Sequence, residues 1–389
     1  MDRTPWGKMV LVCAAGVPAA IALGKVGVVG PLLRPDLGLS LPQLGLAVSA
    51  ITVVAALLGT PAGIWTGGKG PRRTLLAGLA VMTVAAAAGA AAWGLGPLLG
   101  ARLLEGVGFL MVVVAAPDLL VRFSRGADRA AALALWGTVI PIGLAVGGIA
   151  GGALAPALGW RGWLGVTAVL PALAALAVVA AIPRDPPRRD GARAPLRLGG
   201  LGGTALLAGG FCGLCLVGIA VVSLLPTFLV GERGSGLGTA GAATAVVAFA
   251  SVPGSLAAGW LLRRGAGLRP LSVTVLAMPL AALPAFRAGG ALAVAVAAAA
   301  AIMLANGVAV AAAFAAVPEV VSDPGQIALA IGVMTQLGST GTLVGAPLFG
   351  AVVAAADWSA FAPLLLVVTL LTLGLLLVAG AWRSRAASP

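Results

Sequence analysis

Three charged side chains interrupt long apolar stretches of this 389-residue chain, and they are its best candidates for chemistry. Lys25, Arg102 and Glu105 lie among Gly, Ala, Val and Leu. An ionised group costs several kcal/mol inside a membrane, so such residues are by default functional or paired. Arg102 and Glu105 are three residues apart and can pair on one helix face. Two cations and one carboxylate leave a net charge of +1, which favours an anionic substrate or substrate group.

The same residues allow other interpretations. Arg102 and Glu105 could form a structural salt bridge while Lys25 extends outward to the membrane surface. Glu105 is the only carboxylate well inside an apolar span, so it is the candidate if protons drive the protein; pairing with cations would favour its ionised form and weaken that role. Asn306 and Gln336, polar residues of the second half, could bind substrate or bridge helices.

Metal, redox and nucleotide chemistry are not expected. Cys212 and Cys215 form a C-x-x-C pair, but the chain has no histidine and both lie in an apolar run. Residues 63–69 approach a phosphate-binding loop, yet Gly70 stands where Mg²⁺ needs Ser or Thr. The sequence predicts no metal site, no cofactor and no enzyme.

The elements that hold these residues are predicted from composition. Apolar residues make up 60% and charged residues 9%, with a mean hydropathy of +1.11, whereas soluble domains carry about 25% charged residues. The runs are continuous rather than alternating, which indicates helices of about 20 residues across about 30 Å of hydrocarbon. We predict an all-α integral membrane protein with twelve transmembrane helices, at 9–33, 43–65, 74–93, 98–121, 131–155, 163–182, 201–229, 239–262, 270–286, 291–316, 327–354 and 359–381.

The distribution of Lys and Arg predicts the orientation. With a cytoplasmic N-terminus, eighteen of the 24 basic residues fall in cytoplasmic segments and four in outer loops. This asymmetry accounts for the +13 charge without nucleic acid and predicts that both termini are cytoplasmic. A polar segment at 183–200, rich in Pro and Arg, separates an N-terminal six-helix bundle (1–182) from a C-terminal one (201–389).

Three motifs occur in order on the second, fourth and fifth spans, and through them the chain resembles the major facilitator superfamily. Each motif also departs from the family pattern: Gly67 and Gly68 replace an acid and a base, Glu105 replaces Gln, and Gly148 replaces Pro. A looser resemblance of residues 132–147 is to the cyanate-permease-like branch. The matching residues are Gly63, Gly70, Arg72 and Arg73; Arg102, Gly106 and Gly108; and Gly143, Gly147, Gly151 and Gly152.

The resemblance implies two pseudo-symmetric six-helix bundles, with spans 1 and 4 lining a shared cavity. Lys25, Arg102 and Glu105 would then meet in the outer half of the first bundle. The family's acid at the position of Gly67 helps to lock a cytoplasmic gate, so Asp118, paired with Arg122, is the predicted substitute. The remaining gate residues would be Gly63, Gly70, Arg72 and Arg73, and the helix-packing residues Gly143, Gly147, Gly148, Gly151 and Gly152.

These features together predict a secondary active transporter of the inner membrane that works as a monomer by alternating access. Its expected partners are a small-molecule substrate, favoured to be a small anion, the lipid bilayer and a coupling proton or ion. The alternative is a proton-coupled exporter of hydrophobic compounds, which the glycine pattern of span 5 resembles. A channel or receptor is less favoured, because neither a filter nor a soluble signalling domain is evident.

Overall fold

The computed structural model describes residues 5–66, 70–124, 128–184, 202–321 and 327–386, and within these ranges it contains helices and no strand. Short 3-10 segments at Ala50–Thr52, Val273–Leu276 and Trp358–Ala360 interrupt or extend them. The α-helices are α1 (Trp6–Val28), α2 (Gly30–Leu37), α3 (Leu41–Ser49), α4 (Val53–Thr66), α5 (Pro71–Ala90), α6 (Leu95–Phe123), α7 (Asp128–Gly137), α8 (Val139–Ala181), α9 (Gly202–Gly231), α10 (Leu237–Phe249), α11 (Ser251–Arg263), α12 (Leu268–Ser272), α13 (Ala277–Ala285), α14 (Leu292–Ala315), α15 (Val317–Val320), α16 (Ile327–Ala355) and α17 (Phe361–Ala386).

The helices of the described residues are consistent with twelve membrane crossings, because one of the eleven apolar stretches is long enough for two. Eleven stretches of the described chain are long and apolar enough to cross, and the longest, Leu135–Ala181, has 47 residues. At about 1.5 Å per residue that stretch is twice the thickness of the hydrocarbon. Gly159 breaks it with φ 68° and ψ 174°, a backbone geometry that favours glycine. The predicted all-α membrane fold is confirmed. Large apolar side chains on the outside, suited to lipid, include Leu176, Leu256, Leu280 and Leu371.

Several predicted helix ends were wrong. The first span was expected to run to residue 33, but α1 ends at Val28 and α2 begins at Gly30. In one continuous helix Pro31 would clash with the carbonyl of Gly27 and supply no amide hydrogen, so the chain turns there. The loop expected at 156–162 is instead helical on both sides of Gly159. The linker prediction at 183–200 falls almost wholly outside the described residues.

The two halves of the chain meet tightly at the end of the helices where α2 lies, which we call the α2 end. A Cβ placed on Gly45 of α3 would lie 2.6 Å from the backbone of Ala346 in α16. A Cβ on Gly27 would lie 3.0 Å from Cα of Ser223 in α9. Because only glycine fits at such distances, small residues bring the helices of the two halves into backbone contact.

The glycines of α8 face two different partners. Gly143, Gly147 and Gly151 lie against α1, in the same half of the chain. Gly148 and Gly152 lie against α10, in the other half. The spacing of the first set, four residues, keeps it on one helix face, and the second set follows one position later. One helix therefore uses one glycine stripe against its own half of the chain and another against the other half.

A polar junction fastens the loops at the α2 end of the first half. The carboxylate of Asp36 accepts hydrogen bonds from Trp160 Nε1 at 2.8 Å and from Arg161 at 2.6 Å. Arg161 also lies over the Trp160 ring, 4.1 Å from its centroid, and donates to the carbonyl of Ala92. The junction joins α2 to the bend of α8 and to the end of α5.

Substitution of Asp36 tests this junction through pH. The hydrogen bonds from Trp160, and then those from Arg161, hold the pKa of the Asp36 carboxyl below its ordinary value of 3.8. A lowered folded-state pKa stabilises the fold above the unfolded pKa, and this contribution is lost as pH falls through the folded pKa. We expect Asp36→Asn to melt slightly below the wild type at neutral pH and to converge with it in acid. A gap that widened in acid would contradict this assignment.

Candidate functional site

Lys25, Arg102 and Glu105, which we call the trio, lie within hydrogen-bonding distance of one another. Lys25 Nζ is 2.6 Å from Glu105 Oε1, and Arg102 donates to Glu105 Oε2 at 2.5 Å. The sequence spacing accounts for the second contact, because residues three apart on α6 share a face. The first joins residues 80 positions apart and depends on α1 packing against α6. The structure thus brings the three predicted residues together, while their role in transport stays a prediction.

Backbone carbonyls hold the other edge of the Arg102 guanidinium. Its Nε donates to the carbonyl of Ala47 at 3.0 Å and one terminal nitrogen donates to that of Val48 at 2.9 Å. These carbonyls belong to the last turn of α3, just before the 3-10 segment at Ala50. The final carbonyls of a helix have no partner within it, and a cation is favoured there. Arg102 therefore connects the trio to the end of α3.

Two residues of α8 complete the surroundings of Lys25, and sequence reasoning missed both. Lys25 Nζ donates to Thr167 Oγ1 at 3.2 Å, and Thr167 in turn donates to the carbonyl of Leu164 at 2.7 Å. Trp163 Nε1 donates to the backbone carbonyl of Lys25 at 3.1 Å. Isolated Thr and Trp residues are common in apolar helices, so no sequence signal distinguishes these two.

The trio is almost completely sealed. Lys25, Arg102 and Glu105 are each 2% exposed, although together they carry an excess positive charge. Desolvation of charges is expensive unless partners compensate it, and here one carboxylate faces two cations. The outward-extended Lys25 considered from the sequence does not occur in this structure. The site is a buried ionic centre that joins α1, α3, α6 and α8.

Asn306 is the corresponding buried polar residue of the second half. It lies near the middle of α14, is 7% exposed, and its Oδ1 has no hydrogen-bond partner among the described residues. Its Nδ2 lies opposite α9, 3.1 Å from where a Cβ of Gly218 would be. A buried acceptor without a partner costs about 1–3 kcal/mol, which a bound ligand would offset. The role of Asn306, substrate binding or helix bridging, stays a prediction.

Alanine at Asn306 separates the two roles. If the amide serves a solute, Asn306→Ala should lower transport about tenfold or more with little loss of thermal stability, since no intramolecular hydrogen bond of Oδ1 is lost. Thr369→Val is the matched control, because Thr369 Oγ1 in α17 is also buried and has no hydrogen-bond partner within the part of the chain that the structure describes. Equal transport by both variants would contradict a binding role for Asn306.

Gln336 lies between the halves. Its Nε2 donates to the carbonyl of Leu57 in α4 at 3.4 Å, so α16 and α4 are in contact at this point. A second such bond joins Ser49 Oγ to the carbonyl of Thr342 at 2.9 Å. Gln336 therefore touches both halves in this conformation, and its role, substrate binding or helix bridging, stays a prediction.

The predicted gate residues occupy the opposite end of the first half. Asp118 and Arg122 form a two-point pair at 3.0 and 3.1 Å, with their side chains 39% and 41% exposed. Arg72 donates to the carbonyls of Ile182 and Val179, which fastens α5 to the end of α8. Gly70 precedes α5 with φ 87°, while Gly63 lies in α4 and Arg73 in α5. Gly67, Gly68 and Lys69 lie outside the described residues.

Twelve apolar crossings in two contacting halves, with a buried ionic centre, define a multi-pass membrane protein of transporter architecture. The sequence profile of the Major Facilitator Superfamily matches residues 12–339, and the chain belongs to this family. It is thus placed among transporters rather than enzymes. The resemblance to the cyanate-permease-like branch is not confirmed by the comparisons.

Relatives within the family have different solutes in their names. The chain is 31% identical over 154 residues to the cephamycin export protein CmcT of Amycolatopsis lactamdurans, covering 39% of this chain and 32% of that protein. It is 26% identical over 147 residues to the hexuronate transporter of Bacillus subtilis, covering 38% and 35%. The chain thus spans about a third of the length of the curated relatives it matches.

A solved structure resembles the whole chain. It is a bacterial homologue of the human lysosomal transporter Spinster, crystallised in an inward-facing and occupied conformation. The TM-score is 0.79, with coverage of 100% of this chain and 97% of the other, at 18% sequence identity. At that identity the likeness establishes the fold alone.

Proposed function

We propose that this protein is a secondary active transporter that moves a small organic anion across the inner membrane by alternating access. Its bundles at 1–182 and 201–389, joined by a cytoplasmic segment at 183–200, rock about a central site in a monomer with both termini in the cytoplasm. The α2 end is then the outer end, and the contacts of Gly27 and Gly45 hold it closed in this conformation. The proposal that the solute is an anion rests on one observation, the buried trio.

The net positive charge of the trio supports an anion. Lys25 and Arg102 share the single carboxylate of Glu105, and both cations are 2% exposed. An anionic group that approached when the bundles rock would compensate the net charge of +1. The attraction would be strong because the dielectric constant around the trio is low. The name of the hexuronate transporter, a relative that carries an anion, supports the same class of solute.

Export of a hydrophobic compound is the second candidate, favoured by a different observation. One relative is named as a cephamycin exporter and another as a puromycin resistance protein. In the described part of α9, α10, α14 and α16, moreover, no Asp, Glu, Lys or Arg occurs, so the second half would offer an apolar surface. Under this alternative the trio would be purely structural.

Uptake by proteoliposomes separates the two candidates. Purified protein in liposomes should accumulate labelled glucuronate when the outside is made acidic, and unlabelled glucuronate in excess should suppress the signal. Empty liposomes and liposomes with Asn306→Ala serve as controls. If glucuronate did not enter under any gradient and cephamycin were moved against its own gradient, the anion proposal would be wrong and export of a hydrophobic compound would take its place.

A further inference from the structure

We propose that Lys25, rather than Glu105, is the group that binds and releases the coupling proton. The assignment of the proton to Lys25 rests on the geometry of the trio. Its consequence for coupled transport rests on the proposed function. Glu105 was the candidate from the sequence, because it is the carboxylate well inside a span. The contacts around it now assign the proton to its neighbour.

The proton is assigned by asking which of the three side chains can lower the net positive charge of the trio when it gains or loses a proton. Glu105 is held between Lys25 at 2.6 Å and Arg102 at 2.5 Å, and protonating it would raise the net charge of the trio from +1 to +2. Arg102 does not deprotonate in proteins. Loss of one proton from Lys25 makes the trio neutral, and burial makes a lysine readily give up its charge.

The surroundings of Lys25 fit both of its protonation states. The ammonium donates to Glu105 and Thr167, and a neutral amine could still donate to Glu105. The Thr167 hydroxyl, which now donates to the carbonyl of Leu164, could rotate to donate to the amine lone pair. The proton released from Nζ would pass to water when the bundles separate. No covalent bond other than N–H forms or breaks.

Other ionisable groups on elements packed against α1 lie away from the ammonium, so they do not set its charge by contact. Among the described side chains, those in hydrogen-bonding contact with Lys25 Nζ are Glu105 and Thr167. Distance and water screen the charges at the helix ends. Among the side chains that the structure describes, these other residues are Arg34, Asp36 and Arg161 at the α2 end; Asp118, Arg122 and Asp128 at the opposite end; and Lys8, Cys13, Cys212 and Cys215 on α1 and α9.

Coupling follows from this assignment. An anionic group beside the trio favours the charged form of Lys25, so anion and proton each increase the other's affinity by the same factor. Proton and monovalent anion would travel together without net charge, as in a symporter. A cationic solute would instead compete with the proton, which is the exchange expected of an exporter.

The test compares Lys25→Arg, which keeps the positive charge but cannot lose it, with the matched variant Lys8→Arg outside the trio. In detergent without solute, a pH-indicator dye should detect about one more proton released per wild-type chain than per Lys25→Arg chain as the pH is raised. In proteoliposomes, wild type and Lys8→Arg should take up about one proton per glucuronate, and Lys25→Arg none.

Each outcome decides a separate claim. Equal proton release by wild type and Lys25→Arg would overturn the assignment, and so would proton-coupled glucuronate uptake by Lys25→Arg or uncoupled uptake by the wild type. A difference in proton release without any glucuronate transport would instead retain Lys25 as the proton-binding group and reject the anion as the solute.

Discussion

Glu105→Gln should destabilise the protein by about 3–5 kcal/mol and abolish transport, because it removes the single carboxylate from a sealed site with two cations. Lys25 can lose its proton in the variant, but the Arg102 guanidinium cannot, so an unpaired charge stays buried. Unfolding in mixed detergent micelles, followed by tryptophan fluorescence, measures the loss.

Asp118→Asn is the matched control on the same helix. It removes a carboxylate from the pair with Arg122, whose side chains are well exposed, so it should cost about 1 kcal/mol or less. A double variant, Arg102→Met with Glu105→Gln, should be more stable than Glu105→Gln alone, since it removes the stranded guanidinium. A Glu105→Gln variant as stable as Asp118→Asn would show that the carboxylate does not neutralise the site.

Gly241→Ala should reduce transport about tenfold or more, although alanine is the better helix former by about 1 kcal/mol. A Cβ on Gly241 would contact the carbonyl of Gly148 and approach Cα of Gly152 to 2.8 Å, so α10 and α8 must separate to accept it. Since these are backbone atoms of opposite halves, the substitution should disfavour closure of the α2 end.

Gly238→Ala, one turn earlier on α10, is the control. Its Cβ would lie 3.6 Å from the carbonyl of Gly152, an ordinary contact, so transport should stay near the wild-type rate. Closure can be followed with Ser223→Cys, which is buried where α9 meets α1, in a background without the native cysteines. Its labelling by an impermeant maleimide should increase with Gly241→Ala and stay low with Gly238→Ala. Unchanged labelling and transport in Gly241→Ala would exclude this contact as part of the gate.

The sequence was sufficient for the fold and for the identity of the trio. Apolar length and the cost of charge in lipid identify the crossings and single out Lys25, Arg102 and Glu105 without knowledge of any contact. The pairing of Arg102 with Glu105 is local and follows from helical spacing. These conclusions depend on composition and on residues close together in the chain.

The rest of the site depends on how helices distant in the chain pack together. The spacing of residues along the sequence does not predict that packing. Thr167 reaches Lys25 across 142 positions, and Arg102 binds carbonyls 54 and 55 positions away. Backbone carbonyls have no sequence signature at all. The seal around the trio, which makes Lys25 the group able to change charge, is likewise a property of the packed helices.

Counterflow of glucuronate tests most directly that this protein is a carrier of anions. Liposomes filled with unlabelled glucuronate and diluted into a trace of labelled glucuronate should gather the label transiently above its equilibrium level, with a rate that saturates. That overshoot requires one site that faces each side in turn. Label that enters without overshoot, at a rate linear in concentration, would contradict alternating access, and label that does not enter would contradict the anion.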